Sequence, residues 1–460
     1  MSTVLDVETL RHRIATLMPG VRADLEALTR IPSVSLGAFD QQQVERSAEA
    51  TAALFAAEGF EVEIVREGGR PAVIARKAGP AGAPTVLLYA HHDVQPPGPE
   101  ELWDSPAFEP TEREGRLYGR GAADDKAGIM AHLAAVRAHG DQLPVSLVVF
   151  VEGEEEIGSE SLPATLAAHG DKLAADAIVL ADSTNWAIGE PALTTTLRGL
   201  IRAVVSVSTL SHGVHSGMFG GPVPDAVTAL IRLLATLHTD DGEVAVVGLD
   251  RDHAAALPYD EARLRAESGL LEGVELIGRG PLLDRLWTKP SITTIGIDAP
   301  DVATASNTLV ASASAKVSMR LAPSQDPDTA YALLREHLLA HAPWGAQVEV
   351  RLDDKGEGFA ARAQGPMYDA ARAAFADAWG RAPVDIGVGG SIPFVAAFAD
   401  RFPDAALLVT GVEDPDTRAH GANESLHLGE FEKVCLAEAA LLSRVAAVRA
   451  ADGPRGPRDE

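Results

Sequence analysis

The sequence has one cysteine, Cys435, in 460 residues. An intrachain disulfide framework is excluded, and this usage fits a reducing compartment such as the cytoplasm. Cys435 lies in an apolar helical run and reads as core rather than as a nucleophile. Basic residues are scarce too: 39 Lys and Arg stand against 66 Asp and Glu, a formal net charge of −27. No basic run offsets that balance, so neither nucleic acid nor an anionic membrane is expected as a partner. No uninterrupted apolar stretch is long enough to span a bilayer. The amphipathic N-terminal segment MSTVLDVETLRHRIATL lacks the apolar core of a secretory signal. No internal repeat is visible. What is present is a hydrophobic content of 46%, enough for a large core, and a length that predicts two or three domains.

The hydrophobic pattern divides the chain. Helical periodicity over 6–29 places Leu10, Ile14, Leu17, Val21, Leu25 and Leu28 on one side, with Pro19-Gly20 as a candidate kink. A second helix is expected over 41–58. Short buried strands at Val62–Val65, Ala72–Ala75, Val86–Ala90, Val145–Val151 and Ala177–Ala181, with a helix from Asp125, continue an alternating α/β order. Near Thr195 the strands begin to alternate buried and exposed positions, as in Ile201, Ala203, Val205 and Val207 and again in Ala315, Val317, Met319 and Leu321. Residues 239–290 read as mostly irregular. That middle part fits a small α+β domain of split-βαβ type. After residue 359 the buried α/β pattern resumes, with helices at Met367–Trp379 and Glu430–Ala450 around a strand at Ala406–Thr410. The expected architecture is an α/β catalytic domain with helices around a mixed sheet (1–194 and 359–450), interrupted by an inserted α+β domain (195–358). The polar tail 451–460, with two prolines, is expected to be disordered.

The organising stretch is Thr85–Gly128. His91 and Asp93 stand at the end of an apolar strand and, two apart, share a face. A metal-binding imidazole needs its second nitrogen held by an acceptor, and a nearby carboxylate can supply one. Some thirty residues later comes Asp124-Asp125-Lys126. Three further stretches add acidic or imidazole groups: Glu152-Gly153-Glu154-Glu155-Glu156, Asp182 after Ile178–Ala181, and the loop from Asp416 through His420 to Glu424. Taken singly, each is an ordinary turn or helix start. Together they fall just past the C-terminal ends of buried strands, the edge where open α/β sheets place their ligands. Two histidines and several carboxylates there suit two zinc ions, or similar borderline metals, sharing a carboxylate.

These stretches resemble the motifs of the co-catalytic zinc metallopeptidases, a family that includes carnosinase, carboxypeptidase G, acetylornithine deacetylase and succinyl-diaminopimelate desuccinylase. The match lies in HHDVQP (91–96), LYGRGAADDK (117–126) and EGEEEIGS (152–159), and the likeness extends over nearly the whole chain. It implies that Asp124 bridges two ions, that His91 and Asp182 complete one, and that Glu156 and His420 complete the other. Asp93 would orient His91, and Glu155 would be the general base. The Glu-Glu-x-Gly-Ser pattern selects Glu155-Glu156 from the three glutamates, and the x-Asp spacing selects His91 over His92. The inserted domain would be a lid that dimerises.

The reaction implied is metal-assisted amide hydrolysis, with Glu155 taking a proton from the attacking water and returning it to the leaving amine. The segment SHGVHSG (211–217) is similar to the family's lid motif, which makes His215 the group that reaches a partner subunit's active site. Arg320 looks like the family's carboxylate-binding arginine, and Asn307 is a further candidate for substrate contact. Gly389-Gly390-Ser391 precedes an apolar helix, so the N–H groups of Gly390 and Ser391 can receive a carboxylate. The expected activity is a cytoplasmic, homodimeric dipeptidase acting on short peptides with a free C-terminal carboxylate. Zinc is the expected metal, with manganese or cobalt as alternatives. An N-acyl-amino-acid deacylase is the rival, because the same groups cleave any amide. A dimetal phosphoesterase would bring more Lys and Arg to the metals than these loops supply.

Overall fold

The computed structural model describes residues 5–390 and 392–452. They divide into two compact units, one formed by the chain up to Thr195, Ala361–Ile386 and Pro393 onward, the other by Thr196–Ala360 and Gly387–Ile392.

The first unit is built on a mixed sheet. Strand Thr85–His91 lies between Ser146–Glu152 and Ala177–Leu180, and Ala406–Val409 pairs with the latter, all parallel. Ala72–Lys77 joins Ser146–Glu152 antiparallel, and Glu61–Val65 joins Ala72–Lys77 in the same sense. Helices cover both faces of parallel strands, which explains why Val86–Ala90 is apolar without alternation and fully buried. Helix Lys126–His139 packs between Val7–Thr29 and Leu428–Asp452. Its small and apolar residues let it be buried on all sides, leaving only Arg137 half-buried. Gly128 leaves room for the Asp125 carboxylate, since a Cβ there would come within 2.2 Å of Asp125 Oδ1. Elsewhere Tyr89, Phe150, Phe394 and Phe398 stack along the sheet, with the Tyr89 and Phe394 rings 3.5 Å apart. Val7–Thr29 runs through Pro19 as one helix, N-capped by Asp6, whose carboxylate accepts from the N–H of Thr9 at 2.8 Å.

The second unit is a four-stranded antiparallel sheet in the order Ser291–Asp298, Ser312–Leu321, Gly199–Ser208, Gln347–Gly356. With helices Ala226–Ala235 and Pro327–Ala340 it forms a βαββαβ arrangement. Alternate residues of the two central strands, such as Ile201, Ala203, Val317 and Met319, pack with Leu230, Leu233 and Leu334 into a separate core. Strand Ser291–Asp298 has no counterpart in the sequence expectation. It is an edge strand whose residues from Thr293 onward are exposed, so no buried alternation marks it. At the far end of the chain, the C-terminal helix continues through Asp452, and the rest of the expected tail lies outside the described residues.

Candidate active site

The four parallel strands of the first unit end at one edge, and the loops leaving that edge carry the acidic and imidazole groups. His91 is the last residue of its strand, Asp182 lies two residues past Leu180, and Glu155-Glu156 follow Glu152 by a single turn. Asp124 stands at the centre. Its Oδ1 is 3.1 Å from His91 Nε2 and its Oδ2 is 3.0 Å from His420 Nε2. Glu156 Oε2 lies 3.4 Å from the same nitrogen of His420, and Asp182 Oδ1 lies 4.0 Å from His91 Nε2. Two ligand groups result, His91–Asp124–Asp182 and Asp124–Glu156–His420, each with its donor atoms within 4.8 Å of one another. A carboxylate with one oxygen in each group is the geometry of a bridging ligand. Among these residues His420 is the open one, its side chain 60% exposed, whereas His91 is buried.

The charge balance agrees with this reading. Burial and the neighbouring Asp124 push Glu156 well above the usual carboxylate range, and Asp182 is raised by burial and by Asp125 and Asp124. Glu155 is pushed up to about 8, by burial first and then by Asp182. Burial alone would raise Asp124 too, but the imidazoles of His420 and His91 outweigh it and hold that carboxyl well below its ordinary value. So much buried negative charge of one sign is unfavourable without cations, and imidazole nitrogen plus carboxylate oxygen is a donor set for divalent metals. The two groups sharing Asp124 fit two metal ions.

Supporting contacts hold the ligands. The Asp93 carboxylate accepts from the N–H groups of Glu155 (3.2 Å) and Glu156 (3.1 Å). His91 Nδ1 is nearest to the backbone oxygen of Asp93 (3.1 Å), with Oδ1 at 3.5 Å, so most of that carboxylate's work is on the glutamate pair. Gln95 donates to both oxygens of Glu156. The adjacent Asp124–Asp125 peptide is cis. His92 turns away, its Nε2 on the carbonyl of Pro71 at 2.8 Å, and burial takes its pKa down to about 4.

Two acidic residues at this edge had no role in the sequence reading. Glu424 is fully buried and accepts from Arg120 Nη1 (2.6 Å) and from the N–H groups of Gly121, Ala123 and Asp124 (3.1, 3.1 and 3.2 Å). It thereby ties the segment bearing Asp124 to the loop bearing His420. That loop places Arg418, His420 and Asn423 in the left-handed region, a conformation that needs anchoring, and Arg120 Nη2 also donates to Gly421 O (3.1 Å). Glu413 is raised strongly by burial and by Asp124 and Asp182, which adds to the negative field. Neither Glu424 nor Glu413 falls in a ligand group.

The remaining sequence candidates belong to the second unit. His215 and Asn307 are neighbours: the short strand Val214–His215 pairs with Thr308–Leu309, and the N–H of Ser216 donates to Asn307 O at 2.9 Å. His215 is exposed and accepts at Nδ1 from the N–H of Gly217 at 3.0 Å. Arg320 is half-buried on strand Ser312–Leu321, Gly390 is half-buried in its turn, and Ser391 lies outside the described residues.

A strand-edge centre of this composition, on a sheet interrupted by an α+β unit, defines a metal-dependent hydrolase. A sequence profile of peptidase family M20/M25/M40 matches residues 87–444, and the chain belongs to that family. The cysteinylglycine-S-conjugate dipeptidase of Corynebacterium striatum is 37% identical over 377 residues, covering 80% of this chain and 83% of that protein. Among solved structures, the di-peptidase Dug1p of Saccharomyces cerevisiae superposes with a TM-score of 0.84 at 25% identity, over 97% of this chain and 99% of the other. Human carnosine dipeptidase 1 gives 0.83 at 25% identity, over 96% and 99%.

Proposed function

We propose that this chain is a dizinc dipeptidase that hydrolyses the amide bond of dipeptides or short peptides with a free C-terminal carboxylate. The observation that carries the reading is Asp124, with one oxygen facing His91 and the other facing His420. The dipeptidases it resembles support the substrate class, and the mixed nitrogen and oxygen donor set supports zinc.

Bound at Asp124, two divalent ions would polarise the scissile carbonyl and bring the acidity of a water near neutral pH. The chain's own part begins with Glu155. Its carboxylate accepts the proton of the attacking water while the water oxygen bonds to the carbonyl carbon, and it delivers that proton to the leaving nitrogen as the C–N bond breaks. Asp93 fixes the backbone of Glu155 and Glu156 through their N–H groups, so base and ligand keep one register. In the homodimer His215 reaches the partner subunit's active site and stabilises the oxyanion there, and Arg320, Asn307, Gly390 and Ser391 are the candidates for gripping the substrate. Homodimerisation through the second unit is supported by the open edge strand Ser291–Asp298, which exposes Ile295 and Ile297. A lone buried cysteine fits a cytoplasmic setting.

The test is a panel of free dipeptides, cysteinylglycine and β-alanylhistidine among them, against N-acetylated single amino acids, with zinc-loaded and chelator-stripped protein. Hydrolysis of free dipeptides only when zinc is present is expected. Turnover of the acylated amino acids alone would move the assignment to a deacylase.

A further inference from the structure

The sheet of the second unit carries five basic residues on or beside the face opposite its helices; Arg351 is exposed, and the other four are not treated alike. Arg202 pairs with Asp354 at 2.6 Å and Lys316 with Asp353 at 3.0 Å. Among the described residues, Arg198 and Arg320 have no carboxylate partner. Arg198 donates from Nε to Gly389 O (3.3 Å) and from Nη1 to Ser291 Oγ (3.1 Å) and Lys289 O (3.5 Å), all neutral acceptors. Its own N–H donates to Val388 O (3.3 Å), so side chain and backbone together hold the 388–390 turn. Ser291 is in turn the cross-strand partner of Arg320, whose side chain makes no hydrogen bond or ion pair among the described residues. Burial, with Arg320 nearby, takes Arg198 down to about 10, and Arg320 is lowered by burial and by Arg202. No acid offsets either one. In a chain with 66 acidic residues against 39 basic ones, two neighbouring half-buried guanidiniums without a carboxylate are an unfinished ion pair. Gly389 packs closely on the Arg198 side chain, for a Cβ there would come within 2.7 Å of Arg198 Nη2. That nitrogen makes no hydrogen bond among the described residues.

We propose that Arg198 is a specificity-determining residue: with Arg320 it forms a two-guanidinium receptor for the free C-terminal carboxylate of the substrate, and it positions the Gly389–Gly390 turn beside that group. The proposal rests on the dipeptidase reading above and adds the second half of the grip. Guanidinium is the fitting chemistry because its fork matches a carboxylate with two parallel hydrogen bonds.

The experiment compares a free-acid dipeptide with its C-terminal amide on wild type, Arg198→Ala and Arg198→Lys. Wild type favours the acid. In Arg198→Ala the ratio of kcat/KM for acid over amide falls about 10- to 100-fold, as expected for one charge-assisted contact, with the larger loss on the acid. Arg198→Lys keeps the charge without the fork and falls in between; if the alanine variant does not fold, the lysine variant carries the comparison through its raised KM for the acid alone. An equal loss on both substrates makes Arg198 a structural brace and overturns the proposal, as does no loss at all. Wild-type hydrolysis of dipeptides without preference for the acid instead removes the carboxylate from the functional reading, and the receptor with it. Absence of any dipeptide hydrolysis removes that reading and this proposal together.

Discussion

The two units treat charge in opposite ways. At the strand edge of the first, Asp124, Glu155, Glu156, Asp182 and Glu413 crowd together with only two imidazoles against them. On the sheet of the second, Ser291 lies between Arg198, which donates to it, and its cross-strand partner Arg320, and neither guanidinium has a carboxylate partner among the described residues. Controls exist in both. Arg116 and Asp414 close on each other at 3.0 Å, Arg120 and Glu424 at 2.6 Å, and Arg202 and Asp354 at 2.6 Å. Those charges are closed within the protein; where charge gathers in excess at one place, a ligand of the opposite sign is the expected partner. The same rule thus points to cations in one unit and an anion in the other.

The most drastic way to break the comparison is to withhold the cations. Dialysis against a chelator is expected to abolish hydrolysis, with recovery on adding zinc. Because cations relieve the repulsion among these carboxylates, saturating metal also stabilises the fold, by about 2.7 kcal/mol when free metal is 100 times its Kd. A melting temperature indifferent to chelator would mean that the acidic cluster is not a metal site. The next largest effect belongs to Glu155→Gln. Glu155 is not in either ligand group, so metal content should stay at two ions while kcat falls about 10²- to 10⁴-fold, the range for losing a general base. Wild-type turnover in this variant would withdraw the assignment of the base.

The candidate metal-binding edge is readable in the sequence because each proposed ligand sits at the end of an apolar strand or in a compact motif, where local spacing and burial speak together. Asp93 shows the limit of that logic. The i,i+2 rule puts its carboxylate beside the His91 ring, and Oδ1 does stand 3.5 Å from Nδ1, but the strand ends at His91, so the backbone carbonyl comes nearer, at 3.1 Å, and the carboxylate also takes the N–H groups of residues 155 and 156. The role of Glu424 is not visible in the sequence, since its partners lie some 300 positions earlier, and contacts that remote leave no periodic trace. Arg198 was missed for the same reason: its turn is 191 residues away. The edge strand Ser291–Asp298 was missed for lack of a buried face.

Glu424 offers a milder way to sharpen the contrast between paired and unpaired charge. Its two oxygens receive four donors, and Glu424→Gln would turn an NH₂ group toward some of them while leaving Arg120 without its counter-charge. The bridging Asp124 and the His420 loop should then lose their common anchor. Affinity for metal is expected to drop about 10- to 100-fold, the usual consequence of losing a group that orients ligands. Competition with a chromophoric chelator measures it. A lower melting temperature with unchanged metal affinity would confine Glu424 to a structural role.

The smallest expected effect comes from a buried pair behind the active edge. His132 lies with Nδ1 at 2.6 Å from Glu438 Oε1 and Nε2 at 2.8 Å from the carbonyl of Tyr89, two residues before His91. Burial alone would lower this imidazole, but Glu438 outweighs it and the net shift is upward from 6.5. A histidine whose folded pKa is raised adds stability in full below its unfolded pKa, and that contribution fades as pH rises through the folded value. The urea midpoint of the metal-loaded protein, compared with His132→Gln, should therefore differ most near pH 6 and progressively less in alkaline solution. A gap that instead widens with pH would mean that the ring is neutral when folded and that Glu438 does not hold a charged partner.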